Sequence, residues 1–208
     1  MKLFISDAKN LFDLSGVELL EEGRRRRLYR YLRLEDRARC LTAGLMLRRV
    51  FGSEAVERMT FSQFEKPVLP GGSCFNLSHS GDKVVLLVDE EDVGADVEQI
   101  VPYSRKVANR VFTASEQEWL RRQATDEAFY RLWTGKEAVM KALGLGFHLP
   151  PESFEILPDS FLPNFVCGRN WYLHWFEIDG HMICTAAGHP GRPDGPYLLA
   201  RNELLQKE

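Results

Sequence analysis

Between residues 126 and 143, apolar side chains fall at Phe129, Leu132, Trp133, Met140 and Leu143, the three-to-four spacing of a half-buried helix. Gly144 stands ready as its stop. Four-residue spacing places Trp133, Glu137 and Lys141 on one face of this helix, with Lys136 beside them. An acid four residues before a base is also an ordinary feature of a solvated helix, worth only about 0.2–0.5 kcal/mol. What that face does therefore depends on what the rest of the chain brings to it.

A helix of this kind needs a core, and 208 residues with a 44% hydrophobic fraction supply one substantial core or two small halves packed together. In chain order, Leu3, Phe4 and Ile5 suggest a first strand, 17–31 a helix whose outer face carries Arg24, Arg25, Arg26 and Arg27, and the stripe Leu34, Ala38, Leu41 and Leu45 a helix closed at Gly52. Residues 59–64 read as a strand ending at Lys66-Pro67. Residues 74–80 and 84–88 form a hairpin around Gly81-Asp82. Residues 93–98 then complete a meander, with Ala95 and Val97 on one face and Asp96 and Glu98 on the other. Val101-Pro102 is the best junction. Thr113 with Glu116 has the form of a capping box, and beyond the long helix 153–157, 171–178 and 182–187 read as strands, the last two joined by an Asp179-Gly180 turn. Helices followed by strands, twice, predict an α+β fold of two similar subdomains, 1–101 and 102–208, related by a pseudo-twofold and forming one structural unit with a cleft between them.

Asp96, Glu98 and Glu137 attract notice because crowded carboxylates repel, by about 4 kcal/mol for a pair about 4 Å apart near a surface, and so call for a cation or a raised pKa. Mg2+ suits such a set, since a few carboxylate oxygens suffice when water and substrate phosphates complete its shell. The plainer reading is that Asp96 and Glu98 face solvent from an edge strand. Arg39, Lys66, His79, Lys136, Lys141 and the arginine run would be the matching cations for a polyanionic ligand, although spacing alone does not bring them together.

The segments Lys66-Pro67 through Phe75-Asn76-Leu77-Ser78-His79-Ser80, Gly94-Ala95-Asp96-Val97-Glu98, and Trp133-Thr134-Gly135-Lys136-Glu137-Ala138 through Lys141 together resemble the 4'-phosphopantetheinyl transferases of the broad-specificity type, which modify carrier proteins of peptide and polyketide synthases. Glu35-Asp36-Arg37-Ala38-Arg39 extends the likeness upstream. The resemblance implies two pseudo-symmetric α+β halves with coenzyme A and Mg2+ in the cleft between them. It assigns Asp96, Glu98 and Glu137 to the metal. Arg39, Lys66, Pro67, Ser78, His79, Asp96, Lys136 and Lys141 fall to coenzyme A, with Lys66-Pro67 near the adenine and Ser78-His79 near the 3'-phosphate. Glu137 and Lys141 are the implied catalytic pair, and Glu116 matches a further acid near the site. The implied reaction moves phosphopantetheine from coenzyme A to a serine of an acyl or peptidyl carrier protein, releasing adenosine 3',5'-bisphosphate, with the carrier meeting 103–119. Glu65 replaces the glycine usual before Lys66-Pro67, and Ala95 a branched residue before the first metal acid.

Several alternatives fare worse. An inactive coenzyme A or carrier-protein binding module of the same fold would not need all three acids and both lysines. A net charge of -3 and the acidic turn 89–92 weigh against a nucleic-acid partner led by the arginines. Cys167, His174, His181, Cys184 and His189 lack the spacing of a zinc finger. Four cysteines without a CxxC pair suggest reduced thiols and no structural disulfide. No run of about 18 apolar residues and no signal-like start occur, so a cytoplasmic monomer without a membrane partner is expected.

Overall fold

The computed structural model describes residues 1–160 and 162–206. In chain order it contains β1 (Lys2–Asp7), α1 (Glu22–Arg30), α2 (Leu34–Phe51), α3 (Ser53–Glu57), β2 (Thr60–Phe61), β3 (Pro67–Val68), β4 (Cys74–Ser80), β5 (Lys83–Asp89) and β6 (Val93–Gln99). There follow α4 (Arg105–Val111), α5 (Ala114–Gln123), α6 (Asp126–Leu143), β7 (Asn164–Val166), β8 (Arg169–Ile178), β9 (His181–Ala187), β10 (Asp194–Leu198) and α7 (Arg201–Leu204). The fold is α+β, with helices on two four-stranded sheets ordered β10-β1-β5-β4 and β6-β9-β8-β7.

Burial explains why β5 does not alternate. Val84 and Leu86 pack with Leu41 and Leu45 of α2 and with Phe75 of β4, while Val85 and Leu87, with Leu3 and Ile5, face Val93, Ala95, Val97 and Ile183 of the second sheet. A strand covered on both faces reads as a continuous apolar run. The far face of the second sheet carries α6, whose Leu132, Val139 and Met140 pack with Met182, Cys184 and Ala186. The molecule is thus layered helix, sheet, sheet, helix.

Sheet membership does not follow the division at residue 101. Strand β6 leaves the expected meander to pair with β9, and β10, from the C-terminal region, runs parallel to β1 in the first sheet. What remains between β4 and β6 is a seam of side chains. Asn76 Oδ1 accepts from Ala95 N at 2.9 Å, Ser78 Oγ from Val97 N at 3.4 Å and Ser80 Oγ from Gln99 N at 3.2 Å. Their two-residue spacing matches the strand repeat, so alternate polar side chains of β4 satisfy the free edge of β6.

Three local expectations are corrected. The segment 17–31 is a short 3-10 turn at 17–19 followed by α1. The strand foreseen at 59–64 is the two-residue β2, whose partner β3 begins at Pro67. Residues 153–157 form no strand, because Ile156 N donates to Glu116 Oε1 and Leu157 N to Asn164 Oδ1 instead of to a ladder. The capping box at Thr113 and Glu116 and the α6 stop at Gly144 are present, and all four cysteines are free thiols.

Candidate active site

Gly94, Asp96 and Glu98 occupy the face of β6 that meets α6. A Cβ at Gly94 would lie 1.9 Å from Ala138 O and 2.5 Å from Ala142 N, so only glycine lets the helix backbone rest on the strand. That contact fixes the last two turns of α6 over the two acids. Lys141 Nζ lies 2.5 Å from Asp96 Oδ1 and 3.0 Å from Ser78 Oγ, and Ser78 Oγ donates to the same carboxylate at 2.9 Å. Glu98 Oε2 accepts from Ser80 Oγ at 2.7 Å. Asp96, Glu98, Glu137, Lys141, Ser78, His79 and Pro67 all line one cleft of about 560 Å³.

Electrostatics in the cleft follow from this crowding. Burial raises Glu137 to about 7, with Asp96 and Glu98 adding to the effect and Lys141 opposing it. Burial and then Asp96 also raise Glu98, against hydrogen bonding from Ser80. Burial works against the Lys141 ammonium, but Asp96 and Glu137 hold its pKa above the ordinary value. His79 is lowered, by burial and then by the nearby Arg39, Lys141 and Arg27 charges.

Among the described residues no three His, Cys, Asp or Glu side chains form a preassembled metal site, so Asp96, Glu98 and Glu137 line the cleft without being drawn into a closed ligand shell. Lys141 supplies the charge that holds Asp96, yet the buried Asp96 Oδ2 has no hydrogen-bond partner among the described residues. An unsatisfied carboxylate oxygen beside two further acids of raised pKa is a donor set suited to a hard divalent cation.

Other residues foreseen for the site lie elsewhere. Lys136 is fully buried, donating to Pro151 O at 2.7 Å and Phe154 O at 2.6 Å and ion-pairing with Glu116 Oε1 at 2.8 Å. Facing away from Glu137's side of the helix, it ties α6 to α5 and to the chain after it, so neither Lys136 nor Glu116 reaches the cleft. Lys66 Nζ turns to Ala142 O at 2.8 Å and to Asp92 at 3.5 Å, lining an adjoining pocket of about 350 Å³ that shares Pro67 and Phe75 with the cleft. Arg39 is drawn to Asp36 and to Gly81 O, at 2.6 Å, and does not line the cleft. Glu65 adopts φ 62°, the left-handed conformation that glycine favours, so the hairpin keeps its course without a glycine.

Of the arginine run, expected on the outer face of the helix and among the cations for a polyanionic ligand, two members are part of the cleft. Arg24 and Arg27 line it with Tyr31, Phe61 and Phe147, whereas Arg25 and Arg26 point outward to Glu22. Their spacing of three was the available signal, because residues three apart share a helix face.

This cleft of an α+β protein combines the cations Arg24, Arg27 and Lys141 with the carboxylates Asp96, Glu98 and Glu137, a lining suited to a phosphorylated ligand held with a divalent cation. Residues 92–187 match the family model described as the 4'-phosphopantetheinyl transferase superfamily. The chain is 30% identical to "4'-phosphopantetheinyl transferase Sfp" of Bacillus subtilis over 91% of each chain. It is 33% identical to "4'-phosphopantetheinyl transferase gsp" of Aneurinibacillus migulanus over 61% of this chain and 57% of the relative. With "4'-phosphopantetheinyl transferase AcpT" of Salmonella typhimurium the identity is 37%, over 52% and 59%. The chain belongs to the 4'-phosphopantetheinyl transferase superfamily and is an enzyme of that family.

Proposed function

We propose that this enzyme moves the 4'-phosphopantetheine group from coenzyme A to a serine hydroxyl of an acyl or peptidyl carrier protein, in the presence of Mg2+, and releases adenosine 3',5'-bisphosphate. The observation that carries this reading is the meeting of Asp96 and Glu98 from β6 with Glu137 and Lys141 from α6 in one cleft. Asp96, Glu98 and Glu137 would hold Mg2+, which when bound supplies positive charge to the pyrophosphate oxygens. Arg24, Arg27 and His79 would bind the anionic nucleotide end, with Pro67 beside it.

Glu137 would take the proton of the serine hydroxyl, directly or through a water. The hydroxyl oxygen then attacks the phosphorus bearing the pantetheine arm, and the bond from that phosphorus to the oxygen of the departing bisphosphate breaks. Lys141, held as an ammonium, donates to the departing phosphate oxygens. The carrier would approach along 103–119, with the regions 1–101 and 102–208 flanking the cleft, and the enzyme would act as a cytoplasmic monomer.

Mass spectrometry of candidate carrier proteins incubated with the enzyme, coenzyme A and Mg2+ tests the reading through a gain of one phosphopantetheine on serine. Glu137→Gln and Lys141→Ala should each lower the loading rate by about 10²-fold or more. Near-normal loading by both variants would remove these roles, and no gain on any carrier would leave an inactive binding module.

A further inference from the structure

The β4–β6 seam carries two kinds of hydrogen bond, and only one kind concerns the edge of a sheet. Asn76, Ser78 and Ser80 each accept from a β6 amide. The two serines have a hydroxyl proton left over, and each gives it to an acid: Ser78 to Asp96 and Ser80 to Glu98, at 2.7 Å. Asn76 makes no such contact among the described residues. Because the amide bonded to Ser80 is that of Gln99, the residue after Glu98, its hydroxyl is held by the same strand whose side chain it grips. A carboxylate at the end of a Glu side chain has three rotatable bonds and spreads over several rotamers unless something holds its end.

We propose that Ser80 is a positioning residue: its hydroxyl, fixed by the Gln99 amide, holds the Glu98 carboxylate in the orientation that receives the divalent cation. The inference rests on the reading of Asp96, Glu98 and Glu137 as the cation-binding acids. Lys141 and Ser78 restrain Asp96, and Ser80 restrains Glu98, whose carboxylate also meets Trp133 as a second hydrogen-bonding neighbour. Residues behind a ligand commonly set affinity as strongly as a tenfold change or more. Losing the hydroxyl should therefore weaken cation binding without disturbing the rest of the cleft.

Titration of the purified full chain with Mn2+ alone, read by electron paramagnetic resonance, measures the effect apart from turnover. Ser80→Ala should weaken Mn2+ binding roughly tenfold, and Ser80→Thr, which keeps the hydroxyl on a strand-compatible side chain, should stay within about threefold of wild type. Asn76→Ala is the control for the seam as mere structure. It strips a buried amide of its acceptor and should cost more thermal stability than Ser80→Ala, while leaving Mn2+ affinity within about threefold of wild type. In the metal-free protein, the side-chain couplings of Glu98 measured by NMR should report one rotamer in wild type and averaging in Ser80→Ala. Equal loss of affinity in Asn76→Ala and Ser80→Ala, no rescue by threonine, or an unchanged Glu98 rotamer in Ser80→Ala would overturn the proposal. Failure of wild type to bind Mn2+, with the rotamer change intact, would count instead against the cation reading on which it rests.

Discussion

Within the cleft, Glu137 is a side chain whose state the fold disturbs strongly, and the disturbance has a sign. Unfolded, it ionises near 4.5; folded, near 7, so the native chain binds the extra proton between those values and stability falls as pH rises through that window. In the presence of a chelator, Glu137→Gln should therefore match wild type near pH 4.5. By pH 8 it should melt about 2–4 °C higher, a gain of about 1 kcal/mol after allowing for water at the cleft mouth. A thermal scan at the two pH values checks this; equal melting differences at both would contradict the buried, crowded carboxyl. Lys136, one residue before, obeys a different logic. Removing one partner of a buried ion pair costs about 3–5 kcal/mol because the other charge is stranded. Lys136→Met should thus lower the melting temperature by on the order of 10 °C, and where folded it should retain Mn2+ affinity. Sequence spacing put both lysines beside Glu137, yet a helix turns about 100° per residue, and neighbours on the chain face different surroundings.

At the scale of elements, the pairing of α6 with β6 makes the site. Both were legible: the apolar stripe of α6 and the alternation of Ala95 and Val97 with Asp96 and Glu98 each follow one face being buried. What the sequence did not reveal was their contact, because a strand's neighbours depend on chain segments far away in number. Gly94 is the residue that permits the contact. Gly94→Val would set side-chain carbon against Ala138 O, pushing α6 from the strand. It should cost at least about 3 kcal/mol and abolish Mn2+ binding together with cooperative unfolding. A variant that melts like wild type would show that the helix does not rest there. The segments 59–64 and 153–157 were misread because side-chain acceptors take backbone donors that a strand would use: Ser62 Oγ takes the amides of Phe64 and Lys66, and Glu116 and Asn164 take those of Ile156 and Leu157.

Across the whole molecule, the two sheets exchange strands. Strand β6 belongs by position to the first region and by hydrogen bonding to the second sheet, while β10 returns to the first. Neither half completes its sheet alone, and Asp96 and Glu98 sit on a strand shared in this way. The run Asn76, Ser78, Ser80 looked in the sequence like part of a ligand motif; in the fold it is also the seam. Arg24 and Arg27 join the cleft only because α1 folds against α2 near it, a long-range consequence that charge counting does not give. The central claim is that acids from β6 and α6 share one divalent cation in the cleft between the layers. Anomalous diffraction at the manganese edge, from crystals grown with Mn2+ and coenzyme A, tests it most directly. A single strong peak bonded to carboxylate oxygens of Asp96, Glu98 and Glu137 is the expected result; a peak bound elsewhere, with those three carboxylates free of metal, would contradict it.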